Sequence, residues 1–236
     1  MREKQTHCFL HKARINNMFV SVQGEGPFVG VRQAFIRFAG CNLDCEYCDT
    51  DFSENLTCDY KAVVDFVNEN MPLHSVSLTG GEPLLQSAFL TQLLPHIRQI
   101  KGIKAFLETN GSLPQNLLHT LEFIDIVSVD VKLPSVAKTR PLWDEHSEFF
   151  SILKRSSIKV VVKAVINDNV IEDDIERLQS MVWDFNENWT LVLQPEFSVT
   201  IENGFLVKLM AMQKRFLNSL RDVRIIPQVH KLTGID

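Results

Sequence analysis

The chain has 236 residues, 45% of them hydrophobic and 22% charged, which is the make-up of a globular domain large enough to bury a core without disulfide or metal staples. Its formal net charge of -5 argues against a broad basic surface for nucleic acid or anionic lipid. No apolar run of membrane-spanning length occurs, and Met1 to Lys12 lacks the apolar stretch of a secretory signal. These features point to one domain over residues 1–236 in the cytoplasm, with small-molecule partners, no nucleic acid and no membrane.

In chain order, the first candidate strand is Arg14 to Ser21, followed after a glycine-rich loop by a second over Gln33 to Phe38. Three cysteines come next. Ala62, Val63, Phe66 and Val67 then mark one helical face, with Thr57 or Asp59 available to cap its start. A strand over Ser75 to Thr79 precedes a helix over Ser87 to Ile100, which Pro95 should kink or divide. Further strands are read at Lys104 to Thr109, Ile124 to Val129, Lys159 to Ile166, Thr190 to Gln194 and Val223 to Ile226. Helices are marked by Ile175, Leu178, Val182 and Phe185, and by Leu206, Leu209, Met210, Phe216 and Leu217, whose apolar stripes read as core. Alternating strands and helices make an α/β fold with mainly parallel strands. About six repeats are too few for an eight-unit barrel of about 250 residues, so a partial, open (β/α)6-type barrel is expected.

In such folds ligands gather where strands end. The segment after the second strand, Gly40-Cys41-Asn42-Leu43-Asp44-Cys45-Glu46-Tyr47-Cys48-Asp49-Thr50, brings three thiols to one place. Soft thiolates select Fe-S clusters, zinc or Cu(I), and structural zinc normally takes a fourth protein ligand. A zinc-stabilised binding module completed by His74 or His230 is therefore one reading of the triplet. The other is a [4Fe-4S] cluster with one iron left open, since an electron-transfer cluster of that type uses four cysteines. Cys8 and Cys58 stand apart and read as incidental thiols. The next strand ends in Thr79-Gly80-Gly81-Glu82-Pro83, whose glycines permit close backbone approach to a ligand. Polar groups also close later strands, at Glu108 to Gly111, at Asp130-Val131-Lys132 and at Gln194-Pro195-Glu196.

The CxxxCxxC spelling together with GGEP resembles the radical S-adenosylmethionine superfamily. That resemblance implies that the open iron binds S-adenosylmethionine, with Glu82 and the backbone at Gly81 holding its amino group. Tyr47, Cys48 and Asp49, the run Asp130, Val131 and Lys132, and Gln194 would be further cofactor contacts. A glycyl-radical activating enzyme shares the triplet. Ser21 to Gly30, with its QGEG core, followed by Phe35 to Gly40 and later Pro227 to Lys231, is more specific: it resembles the 7-carboxy-7-deazaguanine synthase family. What this implies is a carbon-nitrogen lyase that contracts the ring of 6-carboxy-5,6,7,8-tetrahydropterin, loses ammonia and regenerates S-adenosylmethionine. By the same resemblance, Val22, Gln23, Gly24 and Thr79 contact substrate, Arg37 clamps its carboxylate, and Thr50 supplies a hydroxyl to Mg2+. A homodimer and a flavodoxin or ferredoxin as reductant are implied as well, and His230 and Lys231 are candidates to close over the substrate.

Overall fold

In the structure, a computed structural model, residues 11–50, 55–199 and 203–234 are described. Cys8 and the terminal Ile235 and Asp236 lie outside them. The β-branched runs pair side by side because their intervening helices return the chain to the same end of the sheet. β1 (Ala13–Val22) lies antiparallel to β2 (Arg32–Phe38), and β3 (Leu56–Cys58) adds to the outer edge of β1. From β2 onward the sheet is parallel, through β4 (Ser75–Gly80), β5 (Ala105–Thr109), β6 (Ile126–Asp130), β7 (Lys159–Ile166), β8 (Thr190–Pro195) and β9 (Asp222–Ile225). The order is β3-β1-β2-β4-β5-β6-β7-β8-β9, so the sheet is open, as a partial barrel requires. β3 was not anticipated: Leu56 to Cys58 is too short to show a period.

Successive side chains of a strand point to opposite faces. Ala34, Ile36, Phe38, Val76, Leu78, Leu107, Val127, Val129, Val162, Ala164, Leu191 and Leu193 therefore join the core beneath the helices. The alternate positions Phe35, Arg37, Thr79, Glu108, Ser128, Asp130, Lys163, Val165 and Gln194 line a cavity on the other face. Parallel strands covered on both sides are usually apolar throughout, so this row of polar residues marks a ligand space rather than core.

Five helices of eight or more residues cover the outer face. α1 (Tyr60–Glu69) begins at Asp59, whose side chain accepts from the Ala62 amide at 3.0 Å. Asp59 is thus the cap, and Thr57 belongs to β3. Asp59→Ala is expected to lower unfolding stability by about 1 kcal/mol, measured by chemical denaturation. Val63 and Val67 are the buried stripe of α1, while Ala62 is exposed. α2 (Ser87–Gln99) runs through Pro95 undivided. Burial of Phe89, Leu90, Leu93, Leu94 and Ile97 holds both halves on one axis and outweighs the single missing amide hydrogen.

After two short helices, α3 (Pro114–Leu118) and α4 (Pro134–Ala137), comes α5 (Trp143–Lys154), which the sequence reading passed over. Its signal was present: His146, Phe149, Phe150 and Leu153 are buried at the i, i+3, i+4, i+7 positions. α6 (Glu172–Phe185) follows β7 and α7 (Asn203–Phe216) follows β8. On α7 the buried stripe is Phe205, Leu209 and Phe216, whereas Leu206 and Met210, and Leu217 just after the helix, are exposed and are not core. After β9 comes α8 (Val229–Thr233), a short helix. At the end of the barrel away from the cysteine loop, the 3-10 turn Gly26–Phe28 packs on β7 and β8. Its Phe28 ring lies 5.4 Å from that of Phe106, with Lys159 Nζ 4.8 Å above it.

Candidate active site

The cysteine loop leaves β2 at Gly40 and is clamped there by backbone hydrogen bonds. Gly81 N donates to Phe38 O at 3.1 Å and Glu82 N to Gly40 O at 2.9 Å. A Cβ on Gly81 would sit 2.0 Å from Gly40 O, so only glycine allows this approach. On the far side of the loop, Glu46 N donates to Ala137 O of α4 at 3.0 Å. Cys41, Cys45 and Cys48 all line one cavity of 720 Å³. Burial pushes the Cys41 thiol up and that of Cys45 to about 11, so loading a metal centre must release protons. Asn110 Nδ2 lies 3.9 Å from Cys41 Sγ and donates to Asn42 Oδ1 at 3.0 Å.

Glu82 is fully buried and is not part of the cavity wall. One of its oxygens accepts from Leu84 N at 3.0 Å and Thr109 Oγ1 at 2.8 Å, the other from Asn110 N at 2.8 Å. Its carboxylate joins the ends of β4 and β5 behind the clamp. Burial outweighs these bonds and lifts its pKa from 4.5 to about 7. A folded pKa raised above the unfolded value favours the neutral acid, so the stabilisation is complete below pH 4.5 and is lost as pH rises through about 7. The difference is worth up to about 3 kcal/mol. Against wild type, Glu82→Gln is therefore expected to gain relative stability between pH 5 and 8, whatever its constant cost. Melting of the metal-free proteins at both pH values checks this, and parallel curves would refute it.

Along one wall of the cavity runs a row of alternating charges. Lys132 Nζ is 3.0 Å from Asp130 Oδ2, and Lys163 Nζ is 3.1 Å from the same oxygen and also pairs with Glu25. Gln228 Nε2 donates to the other Glu25 oxygen at 2.8 Å. Burial alone would raise the Asp130 carboxyl, but Lys132 and Lys163 hold it at about 2. The Glu25 carboxyl is likewise lowered because Lys163 and Gln228 overcome its desolvation. Lys132 lies 5.1 Å over the Tyr47 ring. Asp130 Oδ1 and Gln194 Oε1 are buried acceptors without a hydrogen-bond partner among the described residues.

At the other side, Gln23 Nε2 donates to Gln33 Oε1 at 3.0 Å and Glu108 Oε1 at 3.1 Å. The C-terminal segment seals this region: Val229 N donates to Gly24 O at 2.9 Å, and Lys231 Nζ pairs with Asp49 at 2.6 Å. His230 packs so closely that a Cβ on Gly24 would meet it at 2.5 Å. Arg37 faces the cavity with its guanidinium 5.2 Å over the Phe19 ring, itself stacked on Phe35 at 5.1 Å. It forms no ion pair among the described residues.

The fold thus brings Val22, Gln23, Gly24, Arg37, Tyr47, Cys48, Asp49, Thr50, Thr79, Gly81, Asp130, Lys132 and Gln194 to one cavity with the other two cysteines. Glu82 and Val131 are buried behind its wall. His74 is not with the cysteines: it bonds Ser75 at the start of β4 and lies 5.7 Å from Phe28. Among the described residues, no three His, Cys, Asp or Glu side chains are gathered tightly enough for a single ion. Three thiols spread along one wall suit a cubane, whose irons take one thiolate each. The unpartnered acceptors Asp130 Oδ1 and Gln194 Oε1 suit the hydroxyl and ammonium donors of S-adenosylmethionine.

Lys163 was missed by sequence reading, although a lysine inside the otherwise apolar run Val160 to Ile166 was a usable signal. Phe197 and Ser198, in the segment Pro195 to Val199 that follows a strand read from the sequence, also line the cavity.

A family model described as a 4Fe-4S single cluster domain matches residues 22–149. The 7-carboxy-7-deazaguanine synthase of Geobacter sulfurreducens is 34% identical, covering 94% of this chain and 97% of that protein. That of Archaeoglobus fulgidus is also 34% identical, covering 95% and 99%. The crystal structure of QueE from Escherichia coli superposes with a TM-score of 0.65 at 20% identity, covering 93% of this chain and 95% of that one. The native anSMEcpe structure with bound AdoMet and a peptide gives 0.59 at 19% identity over 79% and 60%, so both have this fold. With a cluster loop, a backbone clamp and unpaired acceptors in one cavity, and relatives alike over almost their whole length, the chain belongs to the 7-carboxy-7-deazaguanine synthase family of radical S-adenosylmethionine enzymes.

Proposed function

We propose that the cavity holds 6-carboxy-5,6,7,8-tetrahydropterin and contracts its ring to 7-carboxy-7-deazaguanine with loss of ammonia, a step toward 7-deazapurines such as queuosine. The observation that carries this reading is Arg37, a cation directed into the same cavity as the three thiols and braced on Phe19 rather than neutralised by a carboxylate. Its fork suits a planar carboxylate. When bound, the reduced cluster and S-adenosylmethionine supply a carbon-centred radical that takes a hydrogen atom from the substrate. Arg37 fixes the carboxylate and with it the reacting carbon. Val22, Gln23 and Gly24 meet the flat polar ring, with the Gln23 amide held in place by Gln33 and Glu108. Thr79 contributes a hydroxyl beside Arg37, its pairing partner across β2 and β4.

Cys41, Cys45 and Cys48 would hold the cluster, and the Gly81 backbone, Tyr47, Asp49, Asp130, Lys132 and Gln194 the cofactor. Val131 supports that wall through its backbone, donating to Lys163 O at 2.8 Å. Glu82 acts from behind, holding Asn110 and Thr109 where they face the cavity. Thr50 offers an oxygen to Mg2+, a hard cation that keeps several waters. The C-terminal helix excludes solvent, since His230 and Lys231 cross the mouth from Gly24 to Asp49. Supporting expectations are a single cytoplasmic domain, a flavodoxin or ferredoxin as electron donor, and a homodimer to which the exposed Leu206, Val207 and Met210 of α7 are available. No helix among the described residues is long and apolar enough to cross a membrane.

Anaerobic turnover tests the proposal. Reconstituted protein, reductant, S-adenosylmethionine, Mg2+ and the carboxypterin are expected to yield a deazapurine chromophore while S-adenosylmethionine is not consumed. No such product from fully loaded protein would overturn the assignment, and hydrogen removal from a partner protein would install the glycyl-radical reading instead.

A further inference from the structure

Lys163 stands where two halves of the cavity meet. It comes from the middle of β7, its side chain is 12% exposed, and its ammonium bridges Glu25 and Asp130. These carboxylates belong to different structures. Glu25 lies on the loop that follows β1 and is held from its other oxygen by Gln228, next to the C-terminal helix. Asp130 ends β6 and leaves Oδ1 unpartnered in the cofactor wall. Glu25 and Asp130 are joined only through the shared lysine among the described residues, and as two buried anions they repel. Without the ammonium, one must take a proton or move apart from the other. When a donor binds Asp130 Oδ1, charge is drawn from the carboxylate, and the hold of Lys163 shifts toward Glu25 and the loop it carries.

We propose that Lys163 is the positioning residue that couples the loop Gln23 to Val31 to the cofactor wall, so that each ligand tightens the site of the other. The proposal rests on the substrate reading above only for the identity of the second ligand. Coupling of this kind is reciprocal and typically worth about tenfold in affinity.

The experiment uses cluster-reconstituted protein without reductant, so that no turnover occurs. S-Adenosylmethionine affinity is measured by calorimetry with and without saturating carboxypterin, for wild type, Lys163→Met and Glu25→Gln. Wild type is expected to bind S-adenosylmethionine about tenfold more tightly with the pterin present. In both variants that ratio falls to about one, even where the separate affinities change. A purely structural lysine would weaken both sites and leave the ratio as it was, and that result overturns the proposal. If Lys163→Met does not fold, Glu25→Gln preserves shape and carries the comparison.

A second reading needs no pterin. S-Adenosylmethionine alone should slow amide hydrogen exchange in residues 24–31 of wild type and not of Lys163→Met. Protection in wild type that is lost in the variant supports the coupling even if the pterin fails to bind, an outcome that removes the substrate reading instead. No protection in wild type overturns the coupling itself.

Discussion

Arg37→Ala is expected to abolish most substrate capture while leaving the metal centre intact. Arg37 sits on β2 four residues before Cys41, but its guanidinium rests on Phe19 and makes no contact with the thiols. Removing one partner of a desolvated, hydrogen-bonded charge pair costs about 2 to 5 kcal/mol. At about 1.4 kcal/mol per factor of ten, kcat/KM for the carboxypterin should fall by about thirtyfold to several thousandfold. Iron and sulfide content and S-adenosylmethionine affinity should match wild type. Arg37→Lys should recover little, because a point charge cannot reproduce the planar fork or its stacking on Phe19. A variant that loses iron but, once reloaded, turns over normally would assign Arg37 to the cluster loop and remove it from substrate binding.

Gly81→Ala should have the opposite profile, a protein that folds yet cannot keep its cluster. The added methyl would lie 2.0 Å from Gly40 O and 2.5 Å from Gly40 C, both backbone atoms just before Cys41. No side chain can swing aside to make room, so β4 and the cysteine loop must separate and the bonds from Gly81 N and Glu82 N be stretched. Overpacking of this kind costs about 1 to 3 kcal/mol and sometimes more, which lowers iron retention by about fivefold to more than a hundredfold. Gly204→Ala is the control: nothing lies within 4 Å of its added Cβ, and it is in α7. That change should raise stability slightly. Iron analysis after anaerobic reconstitution and desalting compares the two, and equal retention would mean that the glycine clamp is not needed.

These two residues show how unevenly the site could be read from sequence. Gly81 and Arg37 were legible because their surroundings are local: the glycine closes a strand beside a turn, and the arginine precedes the cysteine triplet by four positions. Glu82 was legible as a motif but not in its manner of action. Its depth is set by β5, which brings Thr109 and Asn110 against it from 27 and 28 residues away. Lys163 was legible only as an oddity, because one of the two carboxylates that define its task, Glu25, lies 138 residues earlier and the other, Asp130, ends another strand.

By itself the sequence determined the α/β alternation, the seven parallel strands, the soft-metal loop and the paired glycines, since each depends on a period or spacing within a dozen residues. Tertiary structure decided the rest. It set which face of each strand is wet, because that depends on the whole sheet curving around one cavity. It selected Asp59 over Thr57 as the cap, because β3 claims Thr57 by pairing with Arg14. It carried α2 through Pro95, because burial of a complete apolar face exceeds one lost bond. It also folded Val229–Thr233 back as a helix over Gly24, placing Gln228, His230 and Lys231 at a site that begins more than two hundred residues earlier. Such contacts follow from packing, and no local pattern records them.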